Sequence, residues 1–560
     1  MVSLVILTLT GAASAAASPI VHVPGLGSLD GAYLLRNAST TSWTNISAFL
    51  GIPYGKAPIG DLRWRPPQPY GAWPSPRDAK AFGNVCWQPE VDFAELPGRR
   101  DEDCLFLNIF APTAALSSAR ALRLPTMVWI HGGAYTNGAS NPFDGSGMLL
   151  ASNLSVVVVT LNYRLNVFGF LGSRNLRGRS EDSSIGNYGM QDQRLALEWV
   201  RANIGAFGGD ANAVTIFGQS AGGDSVVNHL TQPASFSLYH RAIVQSGAYE
   251  GVVAAKDAEI AYASILKKTS CANVNCLLDV PASQLVDLQS SHLNSKWGPV
   301  VDGISLADSP QSLIEQGRYN KRVPIMIGST RDESSFFLLM KEGAEVLPAS
   351  LSDLELDAFL ALTVDLGHVQ EVKALYAPSR YSYPKDLGNF TQAWWVAMRV
   401  STDAVPGLGP CGVRSMARNL VASGSPGVLV YLFEHPTQVH LPSVPGTTPG
   451  SAVVPHASEV SYVFYDMTRL HGSEASLARE MAEEWTAFAA ASSTGRAWPH
   501  YAADEDIVLS FRTAEEGGIR TESHVRRDAC DFWDRVKQRG PFASTPSSST
   551  TTANAPALLI

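Results

Sequence analysis

Val214-Thr215-Ile216-Phe217-Gly218-Gln219-Ser220-Ala221-Gly222-Gly223 is the stretch whose reading settles the fold. An apolar, β-branched run ends in a Gly-x-Ser-x-Gly turn, and the residues beyond it suit a helix. A serine on so sharp a strand-to-helix turn has crowded neighbours, so Gly218 and Gly222 leave room where a Cβ would clash. The turn lifts the Ser220 hydroxyl to the top of a sheet. The helix N-terminus behind it offers N–H groups and the positive end of a dipole to a developing oxyanion. Ser220 is the candidate nucleophile.

Outward from this turn the chain alternates strand and helix signals. Glu102–Phe110 alternates into a strand, and Pro125–Ile130, Leu154–Leu161, Arg322–Gly328 and Gly427–Phe433 read as core strands, Leu154–Leu161 continuously apolar as a central parallel strand is. Gln191–Val200 has helical spacing. Leu477, Met481, Trp485 and Phe488 fall on one helix face, a stripe expected to face the core. The alternation predicts an α/β fold with a large, mostly parallel sheet covered by helices on both faces. Phe49–Pro67, rich in Pro and Gly, reads as a surface segment with little regular structure.

A serine hydroxyl needs a histidine to take its proton, and that histidine needs a carboxylate to fix its tautomer. In α/β-hydrolases the order along the chain is serine, acid, histidine. The loop after the strand ending near Ile327 carries Asp332 and Glu333 side by side, and the residues themselves do not choose between them. Among the downstream histidines, His435 directly follows a strand and His456 sits in a loop before an apolar segment; both are geometrically sensible bases. Upstream, Trp129-Ile130-His131-Gly132-Gly133-Ala134-Tyr135 follows a strand with a double glycine. Gly132 and Gly133, with the Ala221 N–H, read as an oxyanion hole, each such donor being worth about 3 kcal/mol in the transition state.

Composition excludes other classes. The chain has 560 residues, 45% hydrophobic and 17% charged, which supports a large core. A net charge of −9 and a pI near 5.8 argue against nucleic acid or anionic membrane as partner. Arg99-Arg100 and Arg526-Arg527 read as solvated surface. Residues 1–17, a short apolar run followed by small residues, read as a secretory signal peptide too short to span a bilayer. No linker divides the remainder, so residues 18–540 read as one catalytic domain and 541–560 as a Ser/Thr-rich disordered tail. A secreted, extracellular protein is expected to pair its six cysteines, although spacing leaves the pairing open. It would also carry glycans at the sequons Asn37, Asn45, Asn153 and Asn389. No metal or cofactor is expected: the one Gly-x-Gly-x-x-Gly match, Gly407–Gly412, contains Pro410 and Cys411 and follows no strand. Stable membrane insertion is not expected, and the sequence is silent on oligomeric state.

From Phe49 to Trp533 the chain resembles the type-B carboxylesterase and lipase family, which includes the cholinesterases, and within it the fungal secreted type. The stretches that carry the resemblance are Phe49-Leu-Gly-Ile-Pro-Tyr54, Glu102-Asp-Cys-Leu-Phe-Leu-Asn108, His131-Gly-Gly-Ala-Tyr135, Asn162-Tyr-Arg-Leu165, Phe207-Gly-Gly-Asp210, Gly218-Gln-Ser-Ala-Gly-Gly223 and Gln245-Ser-Gly247. The resemblance implies an α/β-hydrolase fold, Glu333 as the acid and His456 as the base. It also implies disulfides Cys86–Cys104, Cys271–Cys276 and Cys411–Cys530. Three departures stand out: Gln219 in place of the more frequent Glu, Ala457 where Gly usually follows the histidine, and Ser334 for a Gly after the acid. By the same resemblance, the short interval from Cys86 to Cys104 leaves out a lipase lid, and Trp87 sits beside the cysteine rather than where cholinesterases hold choline. The expected function is a serine carboxylesterase acting on short to medium acyl or aryl esters, small-molecule or lipid. Lipase or sterol esterase activity is the alternative, and a non-catalytic cholinesterase-like binding protein the remote one.

Overall fold

The computed structural model describes residues 18–39, 42–90, 96–117, 123–247, 251–290, 297–339, 347–385, 387–404, 408–437 and 452–537. Residues 1–17, expected above to be a signal peptide, and the Ser/Thr-rich residues 541–560 lie outside them. An 11-stranded sheet organises the molecule. Its strands are β1 (Ala32–Ser39), β2 (Ser42–Pro53), β3 (Phe106–Pro112), β4 (Leu124–Ile130), β5 (Val157–Leu161), β6 (Gly209–Gln219), β7 (Arg241–Gln245), β8 (Ile325–Thr330), β9 (Val428–Phe433), β10 (Val508–Phe511) and β11 (Arg520–Glu522). In space they run β1-β2-β3-β5-β4-β6-β7-β8-β9-β10-β11. Every neighbouring pair from β5 to β10 is parallel. The two ends of the sheet are antiparallel.

Side chains alternate across each strand, so each strand feeds two cores. Val128, Ile130, Val159, Ile216, Val244, Ile327 and Val430 face one side, with Leu197 and Val200 of helix α1 (Tyr188–Asn203) and Val226 and Val227 of α2 (Ala221–Thr231). Met127, Trp129, Val158, Phe217, Ile243, Met326 and Tyr431 face the other. A third apolar cluster stands apart from both. It joins α3 (Ser334–Leu339), α4 (Gln392–Ala404), α5 (Pro410–Ala422) and, beyond α6 (Gly472–Ala489), the terminal α7 (Arg527–Lys537), through Leu338, Trp394, Trp395, Cys411, Phe532 and Trp533. Leu477, Met481 and Trp485 of α6 belong to the second core, with Phe488 packed against it. That is the stripe its spacing predicts.

Two expectations are corrected. Phe49–Pro53 is the end of β2, and Phe49, Ile52, Tyr54 and Trp64 are buried. The glycine and prolines in this segment are compatible with an apolar strand that ends in a buried turn. Arg526 is not solvated: its guanidinium reaches Asp403 at 2.5 Å and donates to the Arg331 carbonyl at 2.7 Å. Arg527 pairs with Asp506 at 3.0 Å.

Candidate active site

Ser220 links β6 to α2 with φ +57° and ψ −130°, a conformation that costs roughly 1–3 kcal/mol and is held by its surroundings. Its N–H donates to the Gln245 carbonyl at 2.9 Å, and its carbonyl accepts the Asp224 N–H at 2.8 Å. The flanking glycines are required by contact. A Cβ on Gly222 would lie 2.0 Å from the Ile130 carbonyl oxygen, and one on Gly218 2.5 Å from the Gly222 backbone.

The glycine loop after β4 lies against the same serine. A Cβ on Gly132 would come within 2.9 Å of Ser220 Cβ. Gly133, at φ +109°, turns the chain so that its carbonyl accepts the Thr136 and Asn137 N–H groups. Ala221 opens α2, where N–H groups have no partner within the helix. His131, which begins the loop, is a peg: its ring stacks on Tyr163 at 4.5 Å, and the Tyr163 hydroxyl donates to its carbonyl at 2.9 Å. Burial pushes the His131 imidazole down to about 4, against a partial offset from its bond to Gly132, so it is neutral near pH 7.

Geometry separates the two adjacent carboxylates. Glu333 is buried and presents Oε2 to His456 Nδ1, while its Oε1 accepts the Ser246 hydroxyl at 2.6 Å and the Thr330 N–H at 2.7 Å. Asp332 points elsewhere, to Arg331 at 2.9 Å, Arg399 at 3.0 Å and the Val454 N–H at 3.0 Å. Burial alone would raise the Asp332 carboxyl; the charges of Arg331, Arg399 and Arg526 override it and hold it below the usual carboxylate range.

The two candidate histidines separate as well. His435 is clamped between Glu516 at 2.7 Å and Glu474 at 3.0 Å, and those carboxylates raise it to about 9 against the effect of burial. His456 meets Glu333, and its ring packs against Phe337 and Phe336 at 5.2 and 5.8 Å. Burial would lower the His456 imidazole, but Glu333 raises it by charge and hydrogen bond, with Glu459 and Asp224 adding to it. Ala457, the residue standing where glycine is usual, has φ +70°, a left-handed conformation costing about 1–2 kcal/mol for a residue with a Cβ.

Sequence reasoning assigned no role to Ser246, Gln245 or Glu459, although Gln245-Ser246-Gly247 carries part of the resemblance. Gln245 Nε2 reaches Glu459 at 3.3 Å, and Trp485 Nε1 donates to Gln245 Oε1 at 3.1 Å. Burial, with the nearby Glu333 charge, pushes the Glu459 carboxyl up to about 7. Each is a polar residue ending a buried strand or beginning a short helix, a pattern that could have flagged them. All three expected disulfides are present, Cys86–Cys104, Cys271–Cys276 and Cys411–Cys530. Trp87, next to the first, is partly buried against the core. Asn153 and Asn389 are exposed. The side chains of Asn37 and Asn45 lie outside the described residues. Among the described residues, no helix is long and apolar enough to cross a membrane.

Comparison with known proteins places the chain in a family. The sequence pattern of the carboxylesterase family matches residues 17–533. An acetylcholinesterase of Bungarus fasciatus is 31% identical over 532 residues, covering 88% of this chain and 82% of that protein. The cholinesterase of Mus musculus is 30% identical, over 87% of this chain and 83% of its own. The para-nitrobenzyl esterase of Bacillus subtilis (strain 168) is 37% identical over 310 residues, 53% of this chain and 61% of its own. On the match across residues 17–533, the chain belongs to the carboxylesterase family and is a carboxylic ester hydrolase of type B.

Proposed function

We propose that Ser220, Glu333 and His456 form the catalytic triad of a secreted serine carboxylesterase, with residues 18–540 as its catalytic domain. The observation that carries this is the orientation of one carboxylate. Glu333 is fixed by Ser246 and the Thr330 N–H and turned to His456 Nδ1, as a carboxylate must be to keep Nε2 available as a base. Ser220 Oγ attacks the ester carbonyl as its proton passes to His456 Nε2. The resulting oxyanion rests against the N–H groups of Gly132, Gly133 and Ala221. His456 gives the proton to the departing alkoxide, leaving an acyl-Ser220. Water then attacks by the same roles in reverse, releasing the acid and restoring the serine.

Short to medium acyl or aryl esters are the proposed substrates. The Cys86–Cys104 bond closes a separation of only 18 residues where a long mobile lid would otherwise stand, and Trp87 packs beside it. Three disulfides suit an oxidising compartment, and exposed Asn153 and Asn389 suit glycosylation. Hydrolysis of p-nitrophenyl esters from acetate to palmitate, with Ser220→Ala alongside, tests the reading. Fast turnover of the short esters, absent in the variant, is the expected result. Preference for the longest esters above their solubility limit would make the protein a lipase. Hydrolysis that survives Ser220→Ala would remove the triad assignment.

A further inference from the structure

The residue before the nucleophile makes a contact that the acyl-transfer scheme does not use. Gln219 ends β6 with 6% of its surface exposed, and its amide nitrogen lies 2.9 Å from Nε2 of His456. The carboxylate facing Nδ1 only accepts, so Nδ1 carries a proton, and an amide nitrogen only donates. The contact is therefore a hydrogen bond from Gln219 to the lone pair on Nε2. It exists only while the imidazole is neutral. That lone pair is the one that must take the Ser220 proton.

Resting on the triad reading above, we propose that Gln219 is a positioning residue that caps the lone pair of the resting base and thereby sets the acid limit of the enzyme's activity. A donor to the neutral form favours that form, so the cap opposes premature protonation of His456. Once His456 has taken the serine proton, Nε2–H and the Gln219 N–H are two donors face to face. The proton is then better placed on the leaving alkoxide than held at the ring. The amide is also confined on its other side: a Cβ on Gly132 would approach Gln219 Oε1 to 3.3 Å, so the side chain lies between the base and the glycine loop.

The surroundings explain why an uncharged cap matters. Charged or titratable groups face His456 from every side: Glu333 from the loop after β8, Glu459 from its own loop and Asp224 from α2, with Phe336 and Phe337 of α3 supplying apolar contact. All three acids favour the imidazolium. A carboxylate at position 219, set where the amide now lies 2.9 Å from Nε2, would add to that bias. An amide of the same shape works against it.

The test is the pH profile of kcat/KM for a short p-nitrophenyl ester, in the wild type, Gln219→Glu and Gln219→Met. Rates are expressed per reactive site, counted by a phosphonate ester that titrates Ser220, so misfolded protein does not enter. Gln219→Glu keeps the shape and adds charge; its acid limb should move up by about one pH unit or more. At the midpoint of the wild-type limb this is about a fivefold loss. Gln219→Met keeps the length and removes the donor; its limb should move up by less. A merely structural role lowers the plateau of both variants and leaves the limb in place, and that result overturns the proposal, as does a limb that moves down in Gln219→Glu. Wild-type protein without Ser220-dependent turnover overturns the triad reading and the proposal together, whereas an active wild type with unmoved limbs overturns the proposal alone.

Discussion

Asp332 and Val454 exchange two hydrogen bonds: the Asp332 N–H donates to the Val454 carbonyl and the Val454 N–H to the Asp332 carboxylate, both at 3.0 Å. The pair staples the loop that carries Glu333 to the loop that carries His456. Adjacent acids thus divide the work, one holding the loops together and one facing His456.

That division is measurable. Glu333→Gln leaves the staple intact but turns a donor toward His456 Nδ1, so kcat should fall by roughly 10⁴ with the melting temperature little changed. Asp332→Ala strands the buried Arg399 and frees the Val454 N–H; it should cost about 3–5 kcal/mol of stability, read from denaturant midpoints. Equal stability losses in the two variants would contradict the assignment.

The elbow glycines predict a sharp contrast. Gly222→Ala would set a methyl 2.0 Å from the Ile130 carbonyl, a backbone atom that cannot swing aside, and should destabilise by more than about 3 kcal/mol. Gly205→Ala, where a Cβ meets nothing within 4 Å, should change stability by less than about 1 kcal/mol. Circular dichroism melts of both variants settle the comparison.

His435 makes stability depend on alkaline pH. Its folded pKa, about 9, lies above the ordinary 6.5, so the stabilisation is complete below pH 6.5 and is lost as pH rises through 9. Glu516 acts in the opposite direction: its lowered pKa gives stability that is present above about 4.5 and lost as pH falls. Between pH 6 and pH 9.5 the wild-type melting temperature should therefore decline more than that of His435→Gln. At pH 6 the wild type should be the more stable by up to about 3 kcal/mol. Parallel curves would exclude this clamp.

The Cys411–Cys530 bond spans 119 residues, and closing so long a loop is worth about 4–5 kcal/mol in the chain-entropy model. Replacing both cysteines by alanine should lower the melting temperature by several degrees while leaving ester hydrolysis at 25 °C close to wild type, because Ser220, Glu333 and His456 keep their contacts. Loss of activity at 25 °C without unfolding would show that the bond shapes the site.

The sequence stated the sheet plainly because the signals are local. Val157–Val159 and Ile325–Ile327 are unbroken apolar runs, and Gly218-Gln219-Ser220-Ala221-Gly222 specifies its own turn. Family likeness pointed to Glu333 and His456, which the structure brings into contact, whereas the residues alone left Asp332 and His435 open. The reason is physical: which of two adjacent carboxylates faces the base depends on Arg399, Val454 and Ser246, all remote in sequence. The misread segment Phe49–Pro67 fails for the same kind of reason. Its burial comes from pairing with Phe106–Ile109, and such pairing leaves no mark within the segment itself. Gln219 was visible as a substitution, but its contact with His456 needs a strand end and a loop brought together across 237 positions.

The apolar cluster formed by α3, α4 and α7, with Cys411 at the start of α5, is distinct from the two cores that flank the sheet, to the first of which α5 gives Val413, Met416, Ala417 and Leu420. In hydrogen-exchange terms this is a candidate opening unit of its own, able to exchange amides while the strands stay protected. Because α3 follows directly on Glu333 and supplies the two phenylalanines against His456, such breathing would reach His456 before it reached Ser220.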